Sequence, residues 1–106
     1  MHVLAITTCD QKSDADRIAK ELVEQHLAAC VQIIGPIESV YRWKGNVETS
    51  SEYQIHIKTR EAQVAQINAC LDSVHPYEIH ELIAIPISNG NPAYLNWINQ
   101  ETELPS

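Results

Sequence analysis

The order of strand-like and helix-like segments predicts an α+β, ferredoxin-like βαββαβ fold closed by a C-terminal helix. Three observations carry this. An apolar, β-branched run opens the chain. Two long extended arms meet at Lys44-Gly45-Asn46. Two amphipathic stretches at helical spacing stand between strand-like segments. At 106 residues the chain has the size of one domain, taken as 1–106, and can bury a core without disulfides or a structural metal.

Val3 to Thr8 reads as a buried first strand. Ser13 is the expected N-cap of the first helix, with Asp16 three residues on, and Ala15, Ile18, Ala19, Leu22 and Val23 form its apolar stripe. The second strand is expected from about Cys30 to Trp43, interrupted at Gly35-Pro36, and the third from Val47 to about Lys58. In the third, Val47, Thr49, Ser51, Tyr53, Ile55 and Ile57 share one face. A three-residue Lys44-Gly45-Asn46 loop would pair Trp43 with Val47, Ile37 with Tyr53 and Ile33 with Ile57, and set Arg42 opposite Glu48. Gly35-Pro36 is where the inner pairs can slip by one residue.

The second helix is expected to open at Thr59 or Arg60 and to carry Val64, Ile67, Leu71 and Val74 as its stripe. It ends by His75, because Pro76 follows. Glu81 to Ile87 is the expected fourth strand. Asn91-Pro92 reads as N-cap and first residue of a final helix whose apolar residues are Tyr94, Leu95, Trp97 and Ile98. In this order the first and third strands are central and the second and fourth are edges. The arms exceed the common strand length, so the hairpin projects, with Tyr41 and Trp43 near its tip. Long edges and exposed aromatics predict an obligate oligomer.

The net charge of −7 argues against nucleic-acid binding, which needs concentrated Lys and Arg. The N-terminal apolar stretch is too short and too poorly flanked for a signal peptide, and no apolar run spans a bilayer. Three cysteines without a C-x-x-C pair fit free thiols in a reducing cytosol, so the expected location is cytoplasmic. Cys30 and Cys70 are expected as small core hydrophobes.

Val74-His75-Pro76-Tyr77-Glu78 is the densest chemical motif. Pro76 pushes His75 out of the helical region and presents it at a helix end. His75 and Glu78 suit a divalent metal such as Cu(II) or Zn(II), but two ligands from one loop need completion by a neighbouring chain or water. The competing reading is structural: Tyr77 packs, His75 hydrogen-bonds and Glu78 pairs with a base such as Lys58. A second candidate is the face of the third strand that carries Glu52, His56 and Lys58. It suits either a pocket between subunits for a small anion, with Lys58 as contact and Tyr41, Trp43 or Tyr77 as walls, or an inter-subunit salt-bridge network. No nucleophile-base pair and no Gly-rich phosphate loop is visible, so neither an enzyme nor an organic cofactor is expected.

The run Leu27-Ala28-Ala29-Cys30-Val31, then Ser39-Val40-Tyr41-Arg42-Trp43-Lys44-Gly45, Glu52-Tyr53, Lys58-Thr59 and His75-Pro76-Tyr77-Glu78 resembles the CutA (CutA1, divalent-cation tolerance) family. Glu81-Leu82-Ile83, Pro86-Ile87 and Tyr94-Leu95-Asn96-Trp97-Ile98 extend the likeness over nearly the whole chain. The resemblance implies a cytoplasmic homotrimer, similar in architecture to the PII signalling proteins, and a link to divalent cations, copper among them. The alternative it leaves is a PII-like signalling or scaffold protein that binds a small anion between subunits. Some members draw copper ligands from a Cys late in the first strand and from two adjacent His before Pro-Tyr. Those positions are Thr7 and Val74-His75 here, so His75 remains, with Cys9 two residues past Thr7 as a substitute.

Overall fold

The computed structural model describes residues 1–103, so the last three positions of the expected 1–106 domain lie outside it. The chain runs β1 (His2–Cys9), α1 (Lys12–Glu24), β2 (Cys30–Trp43), β3 (Asn46–Arg60), a 3-10 turn (Glu61–Gln63), α2 (Val64–Val74), β4 (Ile83–Pro86) and α3 (Pro92–Glu101). The sheet is antiparallel in the order β2-β3-β1-β4, which is the ferredoxin-like arrangement with β1 and β3 at its centre.

Alternation divides the sheet cleanly. Val3, Ala5 and Cys9 of β1, Ile55 and Ile57 of β3, and the apolar stripes of α1 (Ala15, Ile18, Leu22) and α2 (Ile67, Leu71) are buried, with Val31 and Ile33 of β2 packed against them. The other face carries Leu4 and Ile6 of β1 opposite Ile85 and Ile83 of β4. α3 covers one end of that face. His2 Nε2 is 3.0 Å from the Leu95 carbonyl, Lys58 lies over the Tyr94 ring at 5.8 Å, and Arg60 Nε donates to Thr102 Oγ1 at 2.8 Å. Among the described residues no helix is long and apolar enough to cross a membrane.

Four expectations need correction. The hairpin turn has two residues, not three. Lys44 and Gly45 take φ of 51° and 83°, a left-handed pair suited to a tight hairpin, so Trp43 pairs with Asn46, Arg42 with Val47 and Tyr41 with Glu48. The ladder then slips by one between Ile34 and Ile37, where Pro36 has no N–H to donate, and Ile33 meets Ile55 while Val31 meets Ile57. Thr59 and Arg60 stay in β3 instead of opening a helix. β1 reaches His2 opposite Arg60, and the buried Thr59 hydroxyl donates to the Leu27 carbonyl at 2.6 Å. α1 begins at Lys12 after Gln11 and not after Ser13; the Gln11 carbonyl accepts from the amides of Asp14 and Ala15, with no side-chain cap. β4 is only Ile83–Pro86, paired with Val3–Ile6 of β1, and the Ile87 amide just beyond it donates to the His2 carbonyl at 3.0 Å. The final helix starts as expected, with Asn91 Oδ1 accepting from the Ala93 amide at 3.0 Å ahead of Pro92.

β3 outruns its neighbour. Residues Tyr53 to Arg60 pair with β1, whereas Asn46 to Glu52 pair only with β2. The outer half of the hairpin is therefore a two-stranded ribbon, and it stretches the molecule to 44 × 27 × 21 Å. Gly35 sits where ribbon and sheet join. A Cβ there would lie 2.7 Å from Tyr53 Cδ1 and 3.0 Å from the Glu52 carbonyl oxygen. Gly35→Ala is expected to destabilise the fold by about 1–3 kcal/mol, read as a lower denaturant midpoint with an unchanged slope.

Candidate functional site

The site lies in the notch where the ribbon leaves the sheet. Glu52 is the first β3 residue beyond the end of β1, since Cys9 already faces Tyr53. Period 2 places Ile37, Ser39, Tyr41 and Trp43 of β2 on the face that Glu52 shares. The loop after α2 closes the notch from the other side with Pro76, Tyr77, Glu78, Ile79 and Glu81. Together they enclose a cavity of about 640 Å³, with Thr8 at the end of β1.

His75 and Pro76 decide where that loop goes. Pro76 stops α2, and Arg17 of α1 caps the stop by donating to the Val74 carbonyl at 2.9 Å. His75, extended at φ −78° and ψ 136°, then places its ring across the end of β1. Its Nε2 is 2.8 Å from the Thr8 carbonyl oxygen, and the Tyr77 amide lies 3.1 Å from Nδ1. A carbonyl only accepts and an amide only donates, so Nε2 carries the proton and the ring is neutral. Burial is the main cause that lowers its pKa from the usual histidine value, with the nearby His80 ring adding in the same direction. His80 stacks on His75 at 5.3 Å between ring centroids and is itself 2.8 Å, through Nε2, from Asn68 Oδ1.

The loop thus held delivers Tyr77 to Glu52. The phenol donates to Glu52 Oε2 at 2.6 Å, a short bond to a charged acceptor of the kind that contributes roughly 1.5–3 kcal/mol. Burial and then this acceptor push the Tyr77 pKa up, so it remains a donor. Glu52 is 6% exposed, yet among the described residues no Lys, Arg or His pairs with it, and its Oε1 has no protein donor. Two further carboxylates border the cavity. Glu81 Oε1 accepts from Thr8 Oγ1 at 3.4 Å, and Glu78, 70% exposed, faces Lys44 Nζ at 3.8 Å. That same Nζ is 5.5 Å from the centre of the Trp43 ring.

The structure therefore brings Tyr41, Trp43, Glu52, Tyr77 and Glu78 together and leaves the other candidates apart. Lys58 is six residues from Glu52 along β3, about 20 Å, and rests against Tyr94. It lies away from this notch, and Glu78 meets Lys44 in its place. His56 Nε2 is 3.1 Å from Gln54 Oε1. Cys9 points into the core, donates to the Gln11 carbonyl at 3.5 Å, and has its thiol pushed up to about 11 mainly by burial. Both His75 nitrogens are engaged. Among the described residues no three His, Cys, Asp or Glu side chains cluster tightly enough to enclose a metal ion. Sequence reasoning missed Lys44, Glu81 and His80. Lys44 and Glu81 were legible only as parts of family runs, and His80 only as a histidine five residues past His75.

His75 couples β1 to the cavity loop in its neutral form, so its lowered folded pKa makes stability pH-dependent. The contribution is fully present above the unfolded value, about 6.5, and is lost as pH falls through the folded value. The unfolding midpoint of the wild-type chain is expected to drop between about pH 7 and pH 5 by more than that of His75→Gln. Paired denaturation curves at the two pH values check this.

A family model described as CutA1 divalent ion tolerance protein matches residues 3–101. Protein CutA of Mus musculus is 46% identical over 102 residues, covering 96% of this chain and 58% of that protein, so the chain spans a little over half the length of this relative. The divalent-cation tolerance protein CutA of Thermus thermophilus is 36% identical over 102 residues, covering 96% of this chain and 99% of that protein. Its solved structure superposes with a TM-score of 0.95, covering 97% of this chain and 100% of that one. CutA of Xylella fastidiosa superposes with a TM-score of 0.92 at 40% identity, covering 96% and 98%. With the ferredoxin-like sheet and the long hairpin already in place, these matches over almost all of its residues show that the chain belongs to the CutA1 divalent ion tolerance family.

Proposed function

We propose that the chain is a non-enzymatic, cytoplasmic, cation-binding protein that works as a homotrimer and takes a divalent cation at the Glu52 cavity. The observation that carries this is Glu52 itself. A carboxylate 6% exposed, clasped at Oε2 by one phenol and with no cationic side chain beside it among the described residues, leaves Oε1 free to meet a cation in the cavity. Glu78 and Glu81 on the same cavity add to the attraction. Both names that the family and its Thermus thermophilus member carry refer to divalent ions.

Ligand chemistry sorts the candidate metals. Carboxylate oxygens suit hard cations such as Mn(II). Copper(II) is favoured by imidazole and would recruit His75 only if Nδ1 released the Tyr77 amide. One chain offers too few ligands for a closed shell, so a neighbouring copy or water completes it. Assembly has its own support. Ile34, Ile83 and Ile85 are 45–49% exposed on the sheet face and its edge strands, and Val40 and Val47 lie bare on the ribbon. Cytoplasmic placement rests on the three cysteines, all free.

Titration calorimetry with Mn(II), Zn(II) and Cu(II) tests the site. Glu52→Gln is expected to lose at least about tenfold in affinity, the scale set by removing one charged ligand. Equal affinities in wild type and Glu52→Gln would remove the cavity as the site, and equal copper affinities in wild type and His75→Ala would remove His75. Light scattering is expected to give three times the 11.9 kDa chain mass, and a monomer mass would refute the trimer.

A further inference from the structure

The Glu52 cavity is far larger than a metal ion needs. Its volume of about 640 Å³ matches the size of small-molecule pockets. Much of its wall is apolar or aromatic: Tyr41 and Trp43 on the ribbon, Pro76, Tyr77 and Ile79 on the loop. Acid and ring side chains around an unneutralised carboxylate form a surface for a cation that carries an organic body.

The chain also holds a stand-in for such a cation. Lys44 Nζ lies 5.5 Å from the Trp43 ring centre and 3.8 Å from Glu78 Oε2, a primary ammonium between a π face and a carboxylate at the cavity rim. Lys44 and Glu78 side chains are each 70% exposed, so this contact is weak and readily exchanged. Deeper in, Glu52 Oε1 lacks a protein donor among the described residues, and an ammonium brings three N–H donors.

We infer that the Glu52 cavity binds a small primary alkylammonium ligand, its nitrogen at Glu52 and its carbon body between Trp43, Tyr41 and Ile79, with Lys44 as a tethered competitor at the rim. This rests on the reading of the cavity as a cation site and names the class of cation. A primary ammonium is specified over a quaternary one because Glu52 offers an acceptor and the quaternary group has no N–H to give. Lys44 tunes access. Moved aside, it frees Trp43 and Glu78 for the ligand.

The test is calorimetry of the full chain with n-butylammonium and with tetramethylammonium, beside the divalent-metal titrations. Butylammonium is expected to bind, tetramethylammonium to bind at least about fivefold more weakly, and Glu52→Gln to lose about tenfold. Trp43→Ala, which removes a rim ring and no buried group, is expected to lose several-fold and serves if Glu52→Gln fails to fold. Lys44→Ala is expected to tighten butylammonium binding. Lys20→Ala changes net charge equally on the exposed face of α1 and is expected to leave it unchanged. Glu52-dependent metal binding without butylammonium binding overturns this inference alone, and absence of both overturns the cation site with it. Butylammonium binding that is indifferent to Glu52 and Trp43 also overturns it. Glu52-dependent butylammonium binding without metal binding supports it and refutes the metal.

Discussion

β3 has backbone donors and acceptors along both sides, but β1 is long enough to satisfy one side only from Tyr53 to Arg60. Beyond Tyr53 the strand keeps a single partner, and that inequality of length generates the site. The sheet ends in a notch instead of a straight edge, and the ribbon of β2 and β3 forms one wall of it. A loop can cross the open end of β1 only if something receives it there. The Thr8 carbonyl does, through the His75 ring. Core packing of α1 and α2 on the opposite face fixes where the end of α2 lies once Pro76 has stopped it, and Arg17 joins the two helices at that point. Ribbon, strand end and helix end therefore converge on Glu52, and the ion pair that joins ribbon to loop, Lys44 with Glu78, is an exposed one at the rim.

The electrostatics of the cavity follow from the same geometry. Glu52 occupies a ladder position opposite Ile37, so the backbone and not the side chain decides its place. Its carboxylate is carried into a buried setting by the register of the hairpin. The Tyr77 phenol meets one oxygen and remains protonated, which gives the charge a hydrogen bond but not a counter-charge. Nearby acids deepen the negative potential, and Lys44 at the rim offsets it through an exposed contact. For the proposed cation, charge would come first and shape second, because the walls are aromatic π faces and not a fixed ligand shell.

Much of the fold was legible because its signals are periodic. The alternation from Val47 to Ile57 and the stripes Ile18/Leu22 and Ile67/Leu71 specify faces regardless of exact pairing. The turn was not legible at the same level. Apolar matching favoured a three-residue loop, but Lys44 adopts φ of 51° beside Gly45, and a tight two-residue turn shifts the whole ribbon. The slip at Gly35-Pro36 restores apolar matching inside the sheet, so two local irregularities mask each other in the pattern. Thr59 misled for a different reason. Threonine is a favoured N-cap residue and so resembles a helix entry, and the tertiary pairing with β1 and the bond to the Leu27 carbonyl explain why the strand continues.

The candidate site was legible by residue type and illegible by role. Tyr41, Trp43, Glu52, Tyr77 and Glu78 do meet, but Lys58, on the same face of the same strand as Glu52, does not, because a strand separates residues six apart by about 20 Å. The run from His75 to Glu78 divides its labour. Pro76 ends the helix, His75 spends both nitrogens on backbone groups, Tyr77 clasps Glu52, and Glu78 stays at the rim. The imidazole that looks most like a ligand in the sequence is the group most committed to construction. A histidine whose ring nitrogens face one carbonyl and one amide cannot bind a cation without dismantling the loop that shapes the cavity. The proposed cation site therefore rests on Glu52, the carboxylate clasped by the loop that the imidazole holds in place.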